Sequence, residues 1–110
     1  MVKSPTARPD FIFKALADPT RRAILQDVCA GEKTVSEVAR PYSLTLAAVS
    51  KHLNVLEEAE LIARHRRGTF QIVRVQTAAL QEAEQWLADY RQFWGVRLDA
   101  LAQHLEGEKQ

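Results

Sequence analysis

A single cysteine, Cys29, excludes an internal disulfide and points to a reducing compartment, where such a thiol is expected as a small buried helix residue. No uncharged run exceeds Pro41 to Ser50, far short of the roughly 20 apolar residues that span a bilayer. The opening MVKSPTARPD has no apolar stretch of the kind a secretory leader needs. No membrane partner is expected, and the cytoplasm is the expected location. Catalytic constellations are also missing: there is no nucleophile paired with a base, no glycine-rich phosphate loop and no carboxylate dyad. Glu57, Glu58 and Glu60 read as a solvated helix end. Cys29, His52, His65 and His104 have no metal-ligand spacing. Neither an enzyme, a cofactor nor a metal site is expected.

What is present is an ordinary globular composition, 46% hydrophobic and 26% charged, over 110 residues. That length makes one domain, residues 1–110, with a core modest enough that a second subunit would add useful burial. The net charge of +1 hides an asymmetry. Residues 1–75 carry twelve Lys/Arg against eight Asp/Glu, whereas residues 76–110 carry three against six. A basic working surface and a tail held away from polyanions would produce that division.

Along the chain, residues 1–9 read as a flexible tail, and Phe11, Phe13 and Leu16 as a brief helix ending before Asp18-Pro19. Asp18 can cap a second helix and Pro19 suits its first position. That helix should run to about Ala30, with Ala23, Ile24, Leu25 and Val28 as its core stripe. Arg21 and Arg22 are expected as surface charges paired with Asp18 or a neighbouring acid. Thr34 to Glu37 is a capping-box pattern opening a short third helix, which Pro41 should end near Arg40 to Tyr42. If Thr45 caps a fourth helix, Val49, Leu53 and Leu56 share one side, and Ala47, Lys51, Asn54 and Glu58 lie opposite. Residues 34–59 thus read as a helix-turn-helix. Residues 62–75 have β-propensity around Arg67-Gly68-Thr69 and predict a hairpin. From Thr77 to about Leu105 apolar residues recur every three or four positions, predicting one long helix with more apolar surface than a small domain covers.

The fourth helix leaves a face almost bare of charge, as a helix entering a DNA major groove would. Thr45 and Ser50 can donate or accept there, Ala47 and Ala48 can meet thymine methyls, and Lys51 can reach guanine or phosphate. His52 lies nearer the buried side, as a backbone contact or a packed histidine. The hairpin carries Arg64, Arg66, Arg67, Arg74 and His65 without one acid. With Thr69 in its turn, it suits phosphate or minor-groove contact.

FKALADPTRRAIL, TVSEVA, AAVSKHLNVLEEAELI, RRGTFQIVRV and WLADYRQFWGVRLDALAQHL, in this order, resemble the ArsR family of bacterial winged-helix repressors. The resemblance implies a mainly α fold with a small β-hairpin, a winged helix-turn-helix with a long C-terminal dimerisation helix. It assigns the fourth helix to recognition and residues 62–75 to the β-wing, and it places residues 77–105 in the dimer. Phe11, Phe13, Leu80, Leu87, Tyr90, Phe93, Trp94, Leu98 and Leu101 would form the interface. Expected partners are double-stranded DNA at a pseudo-palindromic operator, a second copy of the chain and an unknown effector. The metal-sensing members' Cys-x-Cys is replaced by Thr34 and Ser36, and the last helix offers only His104. Ser43 and Glu60 replace glycines usual in the family, and Leu46, Ala47 and Ala48 replace more polar residues. Fewer base hydrogen bonds, and more thymine-methyl contact and shape readout, are therefore expected. Two rivals remain: a metal- or redox-responsive repressor using Cys29, and a helical protein-interaction module whose wing no longer reads DNA.

Overall fold

Three helix caps, Asp18, Thr34 and Thr45, divide the first half of the chain into short helices. The computed structural model describes residues 7–108, as α1 (Ala7–Leu16), α2 (Pro19–Cys29), β1 (Lys33–Thr34), α3 (Val35–Ala39), α4 (Leu46–Glu58), β2 (Ile62–Arg67), β3 (Phe70–Val75) and α5 (Thr77–Glu108). Helix α1 takes in residues 7–9, expected in the tail, while residues 1–6 lie outside the described residues. Asp18 caps α2, its carboxylate accepting from the Arg21 amide at 3.0 Å, with Pro19 at the first helical position. Arg21 and Arg22 do not primarily pair with acids. Arg21 Nε donates to the Ala15 carbonyl at 2.7 Å and Nη2 to Lys14 at 2.8 Å, and Arg22 Nη1 donates to Leu16 at 2.8 Å. These carbonyls end α1, where only that of Lys14 also accepts a backbone amide, from Ala17 at 3.3 Å, so the two arginines cap the helix end and fix the α1–α2 corner.

At α3 the capping box is complete: the Thr34 hydroxyl accepts from the Glu37 amide at 3.1 Å, and Glu37 Oε1 accepts from the Thr34 amide at 2.9 Å. The turn that follows is tied down by the Tyr42 hydroxyl donating to Asp27 of α2 at 3.1 Å. Helix α4 begins at Thr45, whose Oγ1 accepts from the Ala48 amide at 3.1 Å. It ends at Ala59, with Glu60 N–H to Glu57 carbonyl and Leu61 N–H to Leu56 carbonyl. That is the Schellman pattern, and it needs a left-handed residue after the cap. Glu60 has φ 59°, so it adopts the conformation of the glycine it replaces.

The sheet has three antiparallel strands in the order β1-β3-β2. The expected hairpin is β2–β3, paired from Ile62↔Val75 to Arg67↔Phe70. Lys33 and Thr34 add a short edge strand to it through Val73 and Ile72, which makes β3 the central strand. Core side chains come from every helix: Ile12 and Ala15, Ile24, Leu25 and Val28, Val38 and Ala39, then Val49, Leu53 and Leu56, joined by Leu61, Ile62 and Val73. Cys29, expected inside, is exposed at the last position of α2.

Helix α5 docks only by its first turns, where Ala79 and Ala83 are buried and Leu80 is partly buried against the core. Its 32 residues span about 48 Å at 1.5 Å per residue. The molecule is accordingly elongated, 68 × 39 × 22 Å. From Leu87 onward the large apolar side chains of α5 are 40–71% exposed.

Candidate nucleic-acid interface

The core stripe of α4 fixes what its other side shows. Val49, Leu53 and Leu56 are fully buried, so Thr45, Leu46, Ala47, Lys51 and Asn54 are exposed, with Ala48 and Ser50 half-buried at the edges. Leu46 is 56% exposed at the first helical position. No charge stands on this face before Lys51. The Thr45 hydroxyl accepts an α4 amide as its cap, which leaves its proton free to donate outward.

His52 is turned away from this face. Its Nδ1 lies 3.5 Å from Arg21 Nη1 and 3.9 Å from Asp18 Oδ2, half-buried against the α1–α2 corner. Around it, Asp18 is held below the usual carboxylate range, chiefly by the Arg21 amide, with the Arg21 and His52 charges adding to the effect. The α4 N-terminal half is thereby braced against α2 by a polar cluster as well as by the core.

The wing is braced to the other end of α4. Arg64 Nε and Nη2 both donate to Glu57 Oε1, at 3.2 and 2.8 Å, and Nη2 also reaches Asn54 Oδ1. Its side chain is only 19% exposed. Arg64 was expected to meet phosphate; its place on the Val73 face of the ladder points it back at α4 instead. Neither Asn54 nor Glu57 is identifiable as its partner from sequence, because a helix-to-strand contact follows no period.

Arg66 and Thr69 are exposed at the wing's outer end. Arg67 is 66% exposed and pairs with Glu32 Oε2 at 3.2 Å, a surface ion pair worth about 0–1 kcal/mol. A phosphate can displace so weak a partner. The Gly68 φ of 63° makes the two-residue reversal between Arg67 and Phe70. Phe70 is 62% exposed beside it, and only its place next to the turn could have marked it in advance.

Phe13 is half-buried. Its ring meets Trp86 edge-on at 5.3 Å, and Leu80 likewise packs on its own chain's core. Trp86 stacks on Tyr90 at 4.8 Å, and Tyr90 and Phe93 both meet Trp94, so an aromatic ladder climbs α5. Phe11, Leu87, Tyr90, Phe93, Trp94, Leu98 and Leu101 remain exposed. An open groove of about 540 Å³ between α1 and α5 is lined by Leu16, Leu80, Ala83, Leu87 and Ala88 with Glu84 and Arg91 at its side. Among the described residues, no three His, Cys, Asp or Glu side chains converge as a metal site requires, and no helix is long and apolar enough to cross a membrane.

Residues 16–65 match the model of a helix-turn-helix domain. The transcriptional repressor SdpR of Bacillus subtilis is 37% identical over 79 residues, covering 72% of this chain and 88% of that one. A crystal structure of an ArsR family transcriptional regulator superposes with a TM-score of 0.76 at 36% identity, covering 86% of this chain and 97% of the other. The homodimeric winged helix-turn-helix DNA-binding domain of a possible ArsR-family regulator from Mycobacterium bovis has a TM-score of 0.64 at 26% identity, covering 81% and 89%.

Proposed function

The chain belongs to the ArsR family of DNA-binding transcriptional regulators, and from that premise we propose that it is a homodimeric repressor that occludes a promoter by binding a pseudo-palindromic operator. The observation that carries this reading is the pairing of a nearly uncharged α4 face with a wing whose charges have one sign, held together by the Arg64–Glu57 brace. In the proposal α4 enters the major groove. Thr45, Leu46, Ala47, Ala48, Ser50 and Lys51 face the bases, and the apolar members meet thymine methyls. Arg66, Arg67 and Thr69 contact phosphates or the minor groove, and Arg64 acts as a positioning residue. His52 supports α4 from behind.

Two copies are joined through the exposed apolar face of α5 together with Phe11. A face of this size on a lone protomer is an interaction surface, and the M. bovis neighbour is itself homodimeric. An enzyme reading has no support in the site, and a family-type metal site is not part of the proposal.

Titration of mixed-sequence duplex across salt tests the DNA assignment. Log affinity should fall linearly with log salt, by about 0.9 for each phosphate neutralised. Affinity indifferent to salt, alongside a stable complex with another protein, would identify the interaction module instead.

A further inference from the structure

The last ladder pair before the wing's turn is Arg67 opposite Phe70. Two residues along the same face of β3, Ile72 is buried, so Phe70 extends that face of the sheet, the one opposite Val73, to the wing's exposed end. Phe70 is 62% exposed. The ring–ring contacts of the described residues all join side chains of α1 and α5. The guanidinium across the ladder goes to Glu32, and the one that does stack on a ring is Arg97, on Phe93.

We propose that Phe70 is an apolar wedge that enters the minor groove and partly unstacks one base step on the outer flank of each half-site. The proposal rests on the assignment of α4 and the wing to DNA. Phe70 pairs with Arg67 across the ladder, on a hairpin that also carries Arg66 and Arg74 and no acid, so its occupant must accept both a bare ring and a basic strand pair. A minor groove offers both: phosphate walls for the guanidinium groups, and sugar and base surfaces between them for the ring. Phenylalanine is one of the side chains that proteins insert between base steps there, kinking the duplex by about 20–90°. The step chosen is a pyrimidine–purine step, the kind most easily unstacked. The wedge therefore adds sequence preference outside the bases that α4 touches, without a hydrogen bond to any base.

Among the described residues, the other exposed large apolar side chains lie on α1 and α5, or, as Leu44 and Leu46, at the leading end of α4. A protein partner seated on Phe70 would have to accept the arginine-rich tip as well. DNA needs no such complement built for it.

The test uses the full chain and an operator duplex selected from a random pool, carrying 2-aminopurine moved one position at a time across both flanks, with donor and acceptor dyes on the ends in a parallel series. Wild type should brighten 2-aminopurine at one step per half-site and shorten the end-to-end distance. Phe70→Ala should abolish both signals and lower operator affinity about tenfold, while Phe70→Leu, still a wedge, should retain them. A wild-type complex with straight DNA and dark probes would overturn the proposal and leave the DNA reading intact. So would a Phe70→Ala complex bent as much as wild type, or one altered only in dimer mass. Absence of salt-dependent DNA binding by wild type would overturn the DNA reading itself.

Discussion

Arg64 and Arg66 stand two residues apart on one face of β2, yet only Arg66 extends beyond α4. Arg66→Ala should weaken every duplex and lower the salt slope by roughly one to two, counting one phosphate per protomer. Arg64→Ala should weaken binding with the slope nearly unchanged, since it loosens the wing without removing a phosphate contact. Lys51→Ala should act on operator affinity more than on mixed DNA. Salt titrations of the three variants against both duplexes separate these outcomes. Glu60 supplies a test of stability at the same scale: a non-glycine residue in the left-handed region is strained by about 1–3 kcal/mol. Glu60→Gly should stabilise the chain by about 1 kcal/mol net of glycine's greater unfolded-state entropy, measured by urea denaturation. The sequence marks Glu60 plainly, because glycine is usual there. It does not mark Arg64's partners, since side-chain reach across two elements depends on a packing angle that no local pattern encodes.

The caps define the elements and titrate with them. Glu37, like Asp18, is held below the usual carboxylate range, in its case by the Thr34 amide and then the Thr34 hydroxyl. Depressed carboxylates contribute stability that is complete above the unfolded values near pH 4 and lost as pH falls through the folded ones. Melting temperature should therefore fall on acidification below about pH 4. Asp18→Asn should blunt part of that fall, because asparagine still caps α2 and does not titrate there. Differential scanning calorimetry from pH 6 to pH 3 checks the pair. Helices α2, α3 and α4 are legible in the sequence through their caps and apolar periods. Strand β1 is not, because two residues, Lys33 and Thr34, show no period and pair only once β3 lies beside them. Arg21 and Arg22 mislead for a related reason: their acceptors are backbone carbonyls, which no side-chain identity announces.

For the whole molecule the governing fact is the unshared apolar face of α5, from Leu87 to Leu105. Its existence is legible in the three-and-four spacing. Which apolar residues the protomer also packs on itself is not, because the contacts of Phe13 with Trp86 and of Leu80 with the core arise only once α1 and the first turns of α5 lie together. Paired Leu98→Asp and Leu101→Asp should leave the folded core intact, as both side chains are exposed, and should reduce the sedimenting mass from two chains to one. Operator affinity should fall with it, because a monomer spans one half-site. Selection of bound duplexes from a random pool, by the purified chain with no metal added and at near-physiological salt, tests the central claim most directly. A homodimeric operator reader should enrich an inverted repeat whose half-site centres lie about one helical turn apart. A pool that stays random after repeated rounds, or that converges on a single unrepeated site, would contradict it.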